Sequence, residues 1–114
     1  MKSPDGWNDG RQSALACNVA ALSAAERNEH RELATRLAGA VTRTRELADG
    51  YAFELAPGRV PVSVLAAWID FERRCCPFFD IAVEWSREDG PVIVRLTGRD
   101  GVKPFIQAEF PTIA

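Results

Sequence analysis

Two Asp-Gly pairs, Asp49-Gly50 and Asp89-Gly90, each sit between short stretches that alternate apolar and polar residues, and this duplication constrains the fold more than any other feature. Around the first pair, Tyr51, Phe53 and Leu55 alternate with Ala52 and Glu54, after a weaker pattern from Val41 to Leu47. Around the second, Phe79, Ile81, Val83 and Trp85 alternate with Asp80, Ala82 and Glu84, and Val92, Val94 and Leu96 alternate with Ile93, Arg95 and Thr97. A period of two is the signature of strands with one buried face, so the chain contains two hairpins.

Helical patterns surround them. Ser23-Ala24-Ala25-Glu26 has capping-box spacing and opens a helix to about Ala40, with Leu33, Ala34, Leu37, Ala38 and Val41 as its apolar stripe. A second helix is expected from about Pro61 to Cys75, where Val64, Leu65, Trp68, Ile69, Phe71 and Cys75 give a wide apolar surface; Pro77 stops it. A third, from about Gly101 to Phe110, offers Val102, Phe105, Ile106 and Phe110. The expected fold is α+β: an antiparallel sheet of about four strands from two hairpins, in the order α-ββ-α-ββ-α, with helices packed on one face and both the Tyr51 and Phe79-to-Trp85 stripes turned toward them. Residues 1–13, rich in Pro, Gly and polar groups around Trp7, read as a flexible lead-in, and 14–114 as a single domain.

The 114 residues are 46% hydrophobic and 26% charged, enough for one core without a disulfide or structural metal. A net charge of −2 with no long basic run argues against a nucleic-acid partner. No apolar run approaches the roughly 18 residues of a membrane span. Ala14-Leu15-Ala16-Cys17 looks a little like a lipoprotein cleavage site, but Asp5, Asn8, Asp9 and Arg11 stand where an apolar segment should precede it. The expected location is therefore the cytoplasm, where thiols stay reduced and serve as metal ligands, catalysts or buried apolar groups.

Three cysteines carry the chemistry. Cys75 and Cys76 are adjacent at the end of the second helix. Thiolates are soft ligands for Zn(II), Cu(I), Hg(II) or As(III), and two neighbours supply part of a site. Successive helical residues diverge by about 100°, so both face one ion only if the helix unwinds at Cys76, as Pro77 encourages. Cys17 is the third candidate ligand. Glu72 precedes the pair on the same side of the helix as a carboxylate that could ligate or accept a proton, and His30 and Arg74 are the other candidate supporting groups. The bland readings are buried core sulfurs, a surface histidine, and a Glu72 paired with Arg73, Arg74 or another cation.

A helix C-terminus raises thiol pKa values, which disfavours a nucleophilic cysteine, and one histidine gives little support to a Cys/His enzyme. Gly98-Arg99-Asp100-Gly101 before Lys103 lacks phosphate-loop spacing and reads as a turn. Trp68, Trp85, Phe78 and Phe79 read as core, with a ligand pocket beside the cysteines as their alternative. Arg43 and Arg45 alternate on an expected edge strand.

The run Glu72-Arg73-Arg74-Cys75-Cys76-Pro77-Phe78-Phe79, followed by Leu96-Thr97-Gly98 and Gly101-Val102-Lys103, resembles a small uncharacterised bacterial protein family built around an E-R-x-C-C-P-F motif. The resemblance spans about Cys17 to Phe110, and Cys17 with a downstream Arg fits its pattern; Arg99 stands where other members have Pro. Similar segments occur in heavy-metal, especially mercury, resistance settings, which implies soft-metal handling. The leading expectation is a thiol-based binder of a soft metal ion (Zn or Hg foremost) or a small thiol-reactive ligand, through Cys17, Cys75 and Cys76. A thiol redox or cysteine-dependent enzyme, and an interaction module with structural cysteines, are the alternatives. A homodimer is compatible with the Phe105/Phe110 segment.

Overall fold

The computed structural model describes residues 13–114, so the expected lead-in and Trp7 fall outside the described residues, save Ser13. After a 3-10 turn at Val19–Ala21, the elements are α1 (Ala24–Ala40), β1 (Val41–Leu47), β2 (Gly50–Leu55), α2 (Val62–Cys75), β3 (Asp80–Trp85), β4 (Val92–Thr97) and α3 (Val102–Glu109). This is the expected α-ββ-α-ββ-α order and α+β class.

The strands form one antiparallel sheet in the order β1-β2-β4-β3, so the two hairpins join through β2 and β4. Register places Tyr51, Leu96 and Ile81 in one cross-strand row, Phe53, Val94 and Val83 in the next, and Leu55, Val92 and Trp85 in the third. The central strands bury these positions, with Tyr51, Phe53, Leu55, Val92, Val94 and Leu96 all in the core beside Leu65, Trp68, Phe71, Val102 and Ile106. Each fully buried side chain of this size contributes about 1.5–3 kcal/mol.

Trp85 departs from the expected helix-facing stripe. It is 50% exposed, because it ends an edge strand where only one neighbour covers it. The other edge, β1, carries exposed Arg43 and Arg45 as expected, together with a register irregularity between Val41 and Arg43.

The Asp-Gly pairs mark turns, but by different means than a two-residue Asp-Gly loop. Leu47 pairs with Gly50, so Ala48 and Asp49 are the loop and Gly50 already lies in β2. There a side chain is excluded by the neighbouring strand: a Cβ on Gly50 would collide with the Leu96 carbonyl and lie 2.8 Å from Thr97 Cα. In the second hairpin the left-handed positions are Glu88 and Asp89, with φ of 59° and 56°.

α1 begins as its capping box requires. Glu26 N–H donates to Ser23 Oγ at 3.1 Å and Ser23 N–H to Glu26 Oε1 at 2.9 Å. It buries Leu37 and Ala40 and passes into β1 without a loop. Lying against α2, it brings His30 to Glu72. No helix among the described residues is long and apolar enough to cross a membrane.

Candidate metal centre

α2 ends at Cys75 because Pro77 restricts the residue before it. Cys76 leaves the helix at φ −128° and ψ 69°, with its N–H still donating to the Glu72 carbonyl at 2.7 Å. This unwinding overcomes the divergence expected of helical neighbours: Cys75 Sγ and Cys76 Sγ lie 3.5 Å apart. Both side chains are buried.

The third sulfur arrives from a distant part of the chain. Asn18 N–H donates to the Cys75 carbonyl at 2.8 Å, capping one of the free carbonyls at the end of α2 and fixing Cys17 beside it. Cys17 Sγ is 3.4 Å from Cys76 Sγ, and all three sulfurs lie within 4.8 Å of one another. Among the described residues no fourth His, Asp or Glu ligand atom joins this cluster.

Arg74 stabilises this arrangement from outside. Its guanidinium donates to both Glu26 oxygens, at 2.9 and 3.2 Å, and to the Ala21 carbonyl at 3.0 Å, clipping the segment that follows Cys17 to the end of α2. The hydrogen bond to Arg74 holds the Glu26 carboxyl down at about 2, helped by the Ser23 N–H. Arg74 is therefore engaged with Glu26 rather than with Glu72.

Glu72 is the one buried charged residue among the described residues, and its partner is His30, with Nε2 to Oε2 at 2.6 Å. Neither flanking arginine fills that role. His30 also leans on the Phe71 ring, with centroids 6.0 Å apart. This pair joins α1 to α2 one helical turn before the cysteines.

Burial dominates the acid-base behaviour of the thiols. It pushes Cys75 up to about 11, although a hydrogen bond with Cys76 works the other way and the Glu72 charge adds to the rise. Burial also drives Cys76 strongly upward, again with Glu72 reinforcing it. Both thiols are thus neutral near pH 7, and a metal ion must displace their protons to bind.

The aromatic residues near the end of α2 belong to the core. Phe78, Phe79 and Phe105 pack on one another, with centroids 4.8 to 5.8 Å apart. Trp68 instead lines a small apolar cavity with Leu37, Phe53, Phe110 and Ile113, away from the cysteines. Gly98 to Gly101 is a turn feeding α3, with Gly101 as its N-cap at φ 97°.

Sequence spacing identified the vicinal pair, Cys17 and Glu72, but nothing local could single out His30 as the partner of Glu72, 42 residues away. Compared with family models, curated proteins and solved structures, the chain finds no match.

Proposed function

We propose that this protein binds a soft metal ion through Cys17, Cys75 and Cys76, as a thiol-based metal handler working where cysteines stay reduced. One observation carries the reading: three thiols from two separate segments have their sulfurs within 4.8 Å of one another. Bonds of about 2.3 Å to one zinc-like centre place sulfurs about 3.8 Å apart in tetrahedral geometry, so the cluster needs only sub-ångström to one-ångström adjustments to close on an ion. Hg(II), As(III), Zn(II) and Cu(I) share the preference for sulfur. The resemblance to proteins of mercury-resistance settings agrees with this class of ligand.

Burial supports binding over nucleophilic catalysis. A reactive cysteine needs a lowered pKa, whereas Cys75 is raised to about 11 and Cys76 is raised further. A bound cation supplies the charge that makes deprotonation favourable. In this reading Glu72, anchored by His30, contributes negative potential beside the ion rather than a direct bond.

The test is native mass spectrometry of reduced, chelator-treated protein with Hg(II) or Zn(II) added. One ion per chain is expected, with affinity at least about 100-fold weaker in the Cys75→Ser/Cys76→Ser variant. Unchanged affinity in that variant would sink the proposal.

A further inference from the structure

On the reading that the three sulfurs form one site, we propose that the ligand matching them is trivalent arsenic or antimony, taken up as its neutral hydroxide. Three features point to it.

The donor count is three. Among the described residues no fourth ligand atom lies within the cluster, whereas zinc held by protein alone takes four ligands. A trivalent pnictogen is complete with three sulfurs and keeps its remaining coordination for a lone pair.

Charge gives the second argument. Cys75 and Cys76 are 6% and 2% exposed, and the Glu72 carboxylate close by is 2% exposed. Zn(II) on three thiolates leaves one negative charge in this enclosed, already negative surrounding, which is costly to desolvate. Hg(II) reaches neutrality with two thiolates and leaves the third sulfur unused. Arsenous acid carries no charge, and neither does a trivalent arsenic bound to three thiolate sulfurs, since three negative charges balance As(III). In the exchange three As–O bonds break and three As–S bonds form. Each thiol proton departs on a hydroxide as water, so As(OH)3 and three R–SH give As(SR)3 and three H2O, with arsenic trivalent throughout.

Geometry is the third. With bonds as long as zinc–sulfur bonds, about 2.3 Å, a pyramidal centre with angles near 100° sets its sulfurs about 3.5 Å apart, against about 4.6 Å for a linear two-sulfur ion. The Cys17–Cys76 and Cys75–Cys76 separations are 3.4 and 3.5 Å. The remaining pair, Cys17 and Cys75, closes by a shift of Cys17, which is half-buried on a non-helical segment.

Reduced, chelator-treated full-length protein is mixed with sodium arsenite at pH 7 and followed by native mass spectrometry, free-thiol counting and proton release in a weakly buffered solution. The expected result is one arsenic per chain, with a mass gain of arsenic less three protons, three thiols protected together, and no net proton release. Hg(II) is expected to protect two thiols and release protons. Cys17→Ser is expected to weaken arsenite binding at least about tenfold, as loss of one of three bonds to the centre. If Hg(II) binds but arsenite does not, or protects only two thiols, the trivalent assignment is overturned while the soft-metal reading stands. If neither ion binds, both fall. These readouts come from the unmodified protein, so a misfolded variant does not decide the matter.

Discussion

The His30–Glu72 pair is expected to be worth more to stability than any exposed ion pair in the chain. The Glu72 side chain is 3% exposed and its Oε2 lies 2.6 Å from His30 Nε2, so His30→Ala leaves a buried carboxylate without its partner. Breaking a fully buried pair costs about 3–5 kcal/mol. The His30 side chain is 19% exposed, which lets water reach the vacated position and reduces the loss to about 2–3 kcal/mol. For a chain of this length that corresponds to roughly 8–12 °C in Tm. Urea unfolding followed by tryptophan fluorescence measures it, with the slope m expected to be unchanged. His30→Leu combined with Glu72→Leu is expected to recover most of the loss, because no buried charge then remains unpaired. A His30→Ala variant within about 0.5 kcal/mol of the parent, or the same loss from His30→Ala whether or not Glu72 is present, would refute the reasoning.

Three further outcomes follow from local geometry and burial. Cys75 titrates near 9.0 in an ordinary setting but is raised to about 11 by burial, so the fold favours its neutral thiol. That contribution to stability is complete below about 9 and is lost as pH rises through about 11. Urea midpoints between pH 8 and 11 should therefore fall less steeply in Cys75→Ser than in the parent, and identical slopes would contradict the burial argument. Gly50→Ala should destabilise by at least about 2 kcal/mol, since its Cβ meets the β4 backbone, whereas Gly39→Ala in open space on α1 should stabilise by about 0.5–1 kcal/mol, both read by urea unfolding.

The three α-helices and the four strands were legible because their signals are local. Ser23 and Glu26 are three residues apart and cap each other in the folded protein as their spacing implies. Alternation along β4 marks its buried face, and Pro77 ends α2 wherever the rest of the chain lies. The same restriction makes the Cys75–Cys76 convergence readable, since the residue before a proline leaves the helix.

Other features depend on neighbours that local sequence does not name. Trp85 continues the apolar alternation of β3, yet it is half exposed because β3 took the edge of the sheet. Arg74 was as plausible a partner for Glu72 as any cation, but it points to Glu26 while His30 reaches Glu72 from α1. Sequence by itself determined the elements, their order, the α+β class and the vicinal thiols, all of which follow from side-chain periodicity and backbone restriction over a few residues. Tertiary structure decided that β2 pairs with β4, that His30 is the partner of the buried Glu72 side chain, and that Cys17 comes within 3.4 Å of Cys76. Those contacts span tens of residues, and packing and hydrogen-bond satisfaction across the whole core select them.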